Sequence, residues 1–183
     1  MPAIVITGSH IPFDMNGVKF YSTKGEITKA EEKIILQSEV NIPEQLAEIR
    51  LPVPDTQVHD LFSQRYTDFF PKELCVGLRI GIYEHSSVAR DFLRSLFESF
   101  GATVISLGRS NSFVPIDSEA VRQEDVERAI EWVLEHNLDM LVSTDGDADR
   151  PLIADQNGRW LRGDVVGTLT AIALNLDEVV GKK

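Results

Sequence analysis

Cysteine is almost missing from this chain. A single residue, Cys75, occurs among 183, so no internal disulfide can form, and the expected compartment is a reducing cytoplasm. Cys75 itself reads as a small buried hydrophobe. Long apolar runs are also missing: nothing approaches the roughly 18 residues of a membrane span. The N-terminus lacks the charged-then-apolar pattern of an export signal. Positive charge is scarce, with 18 Lys and Arg against 29 Asp and Glu and a formal net charge of -11. That balance argues against nucleic acid or an anionic membrane surface as a partner. An anionic substrate would need local help from a metal and from well-placed basic side chains. No internal repeat or low-complexity tract is present. The composition, 43% hydrophobic and 26% charged, is that of a globular protein, and the length suits one large domain or two small ones.

The most informative stretch is Ser143-Thr144-Asp145-Gly146-Asp147-Ala148-Asp149-Arg150. Alternate side chains of an extended or tightly turned loop project to one side, so the spacing predicts convergence of Asp145, Asp147 and Asp149. Three converging carboxylates repel one another unless a cation lies between them, and an all-oxygen ligand set suits a hard ion such as Mg2+. The preceding apolar run, 138–143, reads as a buried strand. That places the loop at a strand's carboxyl end, where open α/β sheets hold ligands. An Asp/Gly-rich loop also reads as a plain solvated turn. A calcium EF-hand fails on this sequence, because the sixth loop position is Arg150 instead of Gly and the twelfth is Gln156 instead of Glu. A phosphatase with an aspartate nucleophile is a rival reading.

The N-terminal end offers a second cluster. Residues 3–7 read as a strand running into Gly8-Ser9-His10-Ile11-Pro12. Gly8 allows an unusual backbone angle and Pro12 blocks a helix, so Ser9 is expected on a tight turn with His10 beside it. Asn16-Gly17 is a turn signal that returns the chain to a strand carrying Lys19. Each of these residues taken singly has an ordinary structural explanation. Together they bring a hydroxyl, an imidazole and an ammonium group close to one another.

Thr28-Lys29-Ala30-Glu31 has the form of a capping box and opens a helix to about residue 40. Pro43, Pro52 and Pro54 mark a linker. Asp55-Thr56 is read as the cap of a helix whose apolar face is Val58, Leu61, Phe62, Tyr66 and Phe69, stopped by Pro71. From residue 78 the pattern alternates. A strand at 78–83 precedes a helix capped by Ser86 or Ser87, with Val88, Phe92, Leu96, Phe97 and Phe100 on its apolar side. A strand at 102–107 precedes a helix over 125–136 with Val126, Ile130, Val133 and Leu134 on one face, and the third strand delivers the acidic loop. This order implies an α/β fold of βαβ units around a small parallel or mixed sheet. His85-Ser86-Ser87 lies at a helix N-terminus, where capping is favoured over anion binding. Beyond the loop, a hairpin is expected around Asn157-Gly158 and a helix over 164–176.

Thr7-Gly8-Ser9-His10-Ile11-Pro12 with Asn16-Gly17-x-Lys19 resembles the phosphoserine loop of the α-D-phosphohexomutase superfamily, the phosphomannomutase and phosphoglucomutase enzymes. That loop is usually written T-A-S-H-N-P…N-G-x-K. Asp145-Gly146-Asp147-Ala148-Asp149-Arg150 resembles the superfamily's D-G-D-x-D-R magnesium loop. The order of the two motifs, with a βαβ domain between them, makes the pairing specific. Gly8 and Ile11 depart from the usual Ala and Asn. The resemblance implies four domains in a full-length member. Residues 1–42 would be the end of the first, 43–55 a linker, 56–150 the second and 151–183 the opening of the third. The chain is therefore expected to be a piece of a longer protein or the product of a shortened reading frame. It would lack the substrate-contacting N-terminal segment, the sugar-recognition loop and the fourth-domain phosphate loop, and the surfaces those parts would cover make self-association an expectation.

The roles implied by the resemblance are specific. Phosphorylated Ser9 donates its phosphoryl group to a hexose phosphate, with a hexose 1,6-bisphosphate as intermediate and activator. Mg2+ is held by Asp145, Asp147, Asp149 and the phosphate on Ser9. His10 serves as hydrogen-bond donor or acid–base, and Lys19 and Arg150 meet substrate phosphate. Three aspartates, a phosphoserine and Mg2+ leave the site near about -3, which accounts for the need for those two cations. Two alternatives stay open: an inactive metal-binding fragment or subunit that needs a partner chain, and a Mg2+-dependent sugar-phosphate phosphatase.

Overall fold

Apolar alternation along the strand at 79–83 sends its side chains into two separate cores. The computed structural model describes residues 1–7, 15–41, 53 and 56–174. These fall into two units, Met1–Thr56 and Gln57–Lys183.

The first unit is an antiparallel meander of β1 (Ala3–Thr7), β2 (Gly17–Ser22) and β3 (Gly25–Glu26), followed by helix α1 (Lys29–Gln37). Val5 pairs with Lys19 and Thr7 with Gly17, so both strands expected around the phosphoserine-like loop are present. The loop itself, with Gly8, Ser9, His10, Ile11 and Pro12, lies outside the described residues. The capping box forms as its sequence requires: the Thr28 N–H donates to Glu31 Oε2 at 2.7 Å and the Glu31 N–H to Thr28 Oγ1 at 3.3 Å. Helix α1 ends at Gln37, short of residue 40. Ser38 leaves the helix in an extended conformation, with its hydroxyl turned back onto the Ile34 carbonyl at 2.8 Å. The proline-marked linker, except for Val53, lies outside the described residues.

The second unit carries α2 (Thr56–Thr67), β4 (Arg79–Tyr83), α3 (Arg90–Ser99), β5 (Thr103–Leu107), α4 (Gln123–His136), β6 (Met140–Thr144), β7 (Pro151–Ala154) and α5 (Gly163–Ala173). Its sheet runs in the order β5-β4-β6-β7. The first three strands are parallel, as βαβ alternation demands, and β7 adds antiparallel at the edge beside β6. Ile80 and Ile82 enter a core with Cys75, Phe100 and Val142, covered by Leu93, Leu96 and Phe97 of α3. Tyr83 enters the opposite core with Ala129, Val133, Leu138, Leu141 and Ala154. Gly81 faces that second core, where a Cβ would stand 2.5 Å from Leu138 Cδ1.

Four expectations from the sequence need correction. Helix α3 begins at Arg90, not at the serines. His85 adopts a left-handed φ of 27°, which turns the chain before any helix can start, and Val88 is 75% exposed. Helix α4 buries Asp125, Ala129 and Val133, while Ile130 is on the surface and Leu134 is 68% exposed. The reason is close approach: the turn at Gly158, with φ 73°, sits against the Ala129–Ile130 backbone, where a Cβ would be 2.5 Å from Ile130 Cα. Asp125 is admitted because Tyr83 Oη donates to its Oδ1 at 3.1 Å and Arg122 Nε to its Oδ2 at 2.8 Å. Helix α2 does not lay its whole apolar face on a core. Phe62 and Tyr66 meet the Phe92 ring at 5.0 and 5.9 Å, while Val58, Leu61 and Phe69 stay exposed. The hairpin around Asn157-Gly158 keeps its turn, but its second arm reduces to one bridge, Ala154 to Trp160. The Asp155 carboxylate takes up the Asn157 and Arg159 N–H groups at 2.8 and 2.9 Å, closing the turn locally.

Candidate metal centre

The chain leaves β4 toward β5 on one side and leaves β6 toward β7 on the other. The carboxyl ends of β4 and β6 therefore flank the point where the strand order reverses, the place where such sheets leave a crevice for ligands. Two segments meet there: the turn 84–88 after β4 and the acidic loop 145–150 after β6.

The loop closes on itself. The Asp145 N–H donates to the Arg150 carbonyl at 3.2 Å and the Arg150 N–H to Asp145 Oδ1 at 3.3 Å, directly before the Thr144–Pro151 pair of the sheet. Ala148 takes a left-handed φ of 64°, which tightens the turn. Asp145, Asp147 and Asp149 thereby bring one carboxylate oxygen each within 4.8 Å of one another, with Asp145 partly buried and the other two exposed. Convergence of the alternate aspartates, expected from their spacing, is what the geometry shows. Burial, a hydrogen bond shared with the Asp149 carboxyl and the charges of Asp147 and Asp149 push the Asp145 pKa up, against the pull of the Arg150 N–H. The donor set is all oxygen and net negative. Its spread has the scale of a hard divalent ion, whose opposite ligands lie about 4–5 Å apart. These residues fit Mg2+.

Arg150 leaves the loop sideways. Its Nη1 donates to Glu119 at 2.8 Å and its Nε lies 3.8 Å from Asp149 Oδ1. Both Asp149 and Arg150 line an open groove of about 1040 Å³ that runs to Trp160, Arg162 and the start of α5. Lys19 is exposed on β2 of the other unit, and Ser9 and His10 lie outside the described residues.

A layer of residues behind the loop was not foreseen as part of the site. His85, fully buried, places Nε2 2.9 Å from the Thr144 carbonyl. Burial lowers the His85 pKa, so the ring is neutral and Nε2–H is the donor, while Nδ1 finds no hydrogen-bond partner among the described residues. The Ala89 N–H donates to Ser87 Oγ at 3.0 Å, Ser87 Oγ lies 2.7 Å from Thr144 Oγ1, and Thr144 Oγ1 donates to the Asp145 carbonyl at 2.8 Å. The Val88 N–H donates to the Gly146 carbonyl at 3.1 Å. The turn is itself anchored: its Glu84 carboxylate meets Arg109 at 3.1 Å, and Arg109 also pairs with Asp91 at 2.7 Å.

Comparison with known proteins bears on this site directly. The sequence model described as phosphoglucomutase/phosphomannomutase, alpha/beta/alpha domain II, matches residues 64–158, which include the whole βαβ sheet and the acidic loop. The chain belongs to the phosphoglucomutase/phosphomannomutase family. Within that family, a phosphomannomutase of Salmonella muenchen is 49% identical over 179 residues, covering 98% of this chain and 37% of that protein. A phosphomannomutase of Sinorhizobium fredii is 41% identical over 174 residues, 92% of this chain and 37% of that protein. A phosphoglucosamine mutase of Methylobacillus flagellatus is 32% identical over 173 residues, 88% and 36%. The crystal structure of a phosphoglucomutase/phosphomannomutase family protein from Burkholderia thailandensis shares the fold, with a TM-score of 0.64 at 19% identity over 94% of this chain and 37% of that one. The chain thus spans a little over a third of the length of the relatives it matches. No helix among the described residues is long and apolar enough to cross a membrane.

Proposed function

We propose that this chain carries the phosphoserine and metal-binding portion of a phosphohexomutase, which moves a phosphoryl group between the 1- and 6-oxygens of a hexose phosphate. The observation that carries the reading is the convergence of three aspartate oxygens at the end of β6, in a member of a family whose relatives are named for mutase activity.

Ser9, two positions past β1, is assigned as the phosphoryl carrier. The bond between Ser9 Oγ and phosphorus breaks as a sugar hydroxyl oxygen bonds to phosphorus, and the hydroxyl proton passes to a base, for which His10 is assigned. The bisphosphate turns around, its other phosphoryl group returns to Ser9 Oγ, and the freed sugar oxygen regains a proton. Asp145, Asp147 and Asp149, with an oxygen of the Ser9 phosphate, would hold Mg2+, which supplies charge neutralisation and polarisation of the phosphoryl group. Lys19 and Arg150 are assigned to the non-reacting phosphate, with Arg150 exchanging its Glu119 partner for a phosphate oxygen. Sugar turnover is assigned to this portion together with the further length that relatives carry.

Intact-mass measurement of the chain incubated with Mg2+ and glucose 1,6-bisphosphate tests this. One phosphoryl increment is expected on the parent and none on Ser9→Ala. Equal labelling of both would remove Ser9 from its role. Release of inorganic phosphate with no retained increment would favour a phosphatase.

A further inference from the structure

Among the described residues, no side chain of the turn after β4 hydrogen-bonds a carboxylate of the acidic loop, yet the turn reaches three successive carbonyls at the base of that loop, one of them through Thr144. The Thr144 carbonyl accepts from His85 Nε2, the Asp145 carbonyl from Thr144 Oγ1, itself met by Ser87 Oγ, and the Gly146 carbonyl from the Val88 N–H. Because Thr144 Oγ1 donates to Asp145, Ser87 is the donor between the two hydroxyls. A directed chain therefore runs from the Ala89 N–H through Ser87 and Thr144 to Asp145, each bond polarising the next. With these three carbonyls held by donors, the peptide planes that carry Asp145 and Asp147 are fixed in advance.

We propose that His85 and Ser87 are positioning residues for the metal loop: they hold the carbonyls of Thr144 and Asp145 so that the three aspartates converge before the ion arrives. The inference rests on reading Asp145, Asp147 and Asp149 as the metal ligands. A ligand set built on a pre-formed loop binds more tightly than one that must order on binding, and residues that orient metal ligands are typically worth about 10- to 100-fold in affinity.

The test is Mn2+ affinity of the full chain, followed by loss of the free-ion paramagnetic resonance signal, beside the melting temperature of each variant in EDTA. Ser87→Ala removes the hydroxyl. His85→Asn tolerates the left-handed backbone but is too short to reach Thr144, whereas His85→Gln restores an N–H donor near the Nε2 position. Tyr83→Phe is the control: it loses the buried hydrogen bond to Asp125 but keeps the ring that packs 5.2 Å from the His85 ring, so His85 stays in place. Ser87→Ala and His85→Asn are expected to raise the Mn2+ Kd about tenfold or more, with His85→Gln close to the parent and Tyr83→Phe unchanged. Ser87→Ala combined with Thr144→Val should lose no more than Thr144→Val alone, since both act through one bond. A Kd that follows melting temperature across all variants, Tyr83→Phe included, overturns the inference. So does an unchanged Kd in Ser87→Ala and His85→Asn while Asp147→Asn weakens binding. A parent-like Kd in Asp147→Asn, or no Mn2+ binding by the parent, overturns the metal reading itself and the inference with it.

Discussion

At Asp145, partial burial and two neighbouring carboxylates act in the same direction, raising proton affinity above that of an ordinary aspartate. In the unfolded chain the group titrates near about 3.9. A folded pKa above that value means that its contribution to stability is complete below about pH 4 and is lost as pH rises through the folded value. At neutral pH without metal, the raised proton affinity of Asp145 works against the fold. Asp145→Asn keeps an oxygen for the Arg150 N–H while removing the charge. In EDTA at pH 7 it is expected to melt above the parent by about 2–4 °C, with the gap closing as pH is lowered toward 4; circular dichroism melts over that range check both sign and window. In the same variant and in Asp147→Asn, Mn2+ affinity should fall at least about tenfold, read by calorimetric titration. The aspartates themselves were legible in the sequence because alternation in a Gly-containing loop dictates convergence. Glu119, which holds Arg150 from 31 positions away, was not, because an exposed glutamate in a loop carries no local signal.

Among the elements, the strands and helices were legible to within a few residues wherever a period was strong and a stop signal present: β1, β4, β5 and β6, and α1 with its Thr28–Glu31 box. Helix α4 shows where the reading failed. It buries Asp125, Ala129 and Val133, with Trp132 packed beside them, because the Gly158 turn comes close against the backbone at Ala129–Ile130 and Ala129 leaves room for it. Volume decided the orientation, and hydrophobicity alone does not carry that information. The backbone bonds at Thr144, Asp145 and Gly146 were illegible for a different reason, since a carbonyl looks the same in every residue. Close packing here predicts an order of costs. Gly81→Ala drives a Cβ into the mobile ends of Leu138 and Leu141 and should cost about 1–3 kcal/mol. Gly158→Ala meets the fixed backbone of α4 at a left-handed φ and should cost about 3 kcal/mol or more. Urea denaturation midpoints at constant slope distinguish the two; a smaller loss for Gly158→Ala would contradict the packing described.

For the molecule as a whole, all three clustered aspartates and every bond of the layer behind the loop belong to the unit Gln57–Lys183. A chain beginning at Gln57 is accordingly expected to fold and to bind Mn2+ with the affinity of the full 183 residues, tested by comparing the two titrations. Saturation should also stabilise: at a free Mn2+ concentration one hundred times Kd, binding to the folded state adds about 2.7 kcal/mol, a rise of roughly 5–10 °C in melting temperature that EDTA reverses. Val88 gives this unit a built-in reporter. Its side chain is 75% exposed, but its amide hydrogen is committed to the Gly146 carbonyl. Deuterium can replace that hydrogen only when turn and loop part, so the exchange rate at this one surface amide clocks the opening of the acidic loop from a position outside the three aspartates.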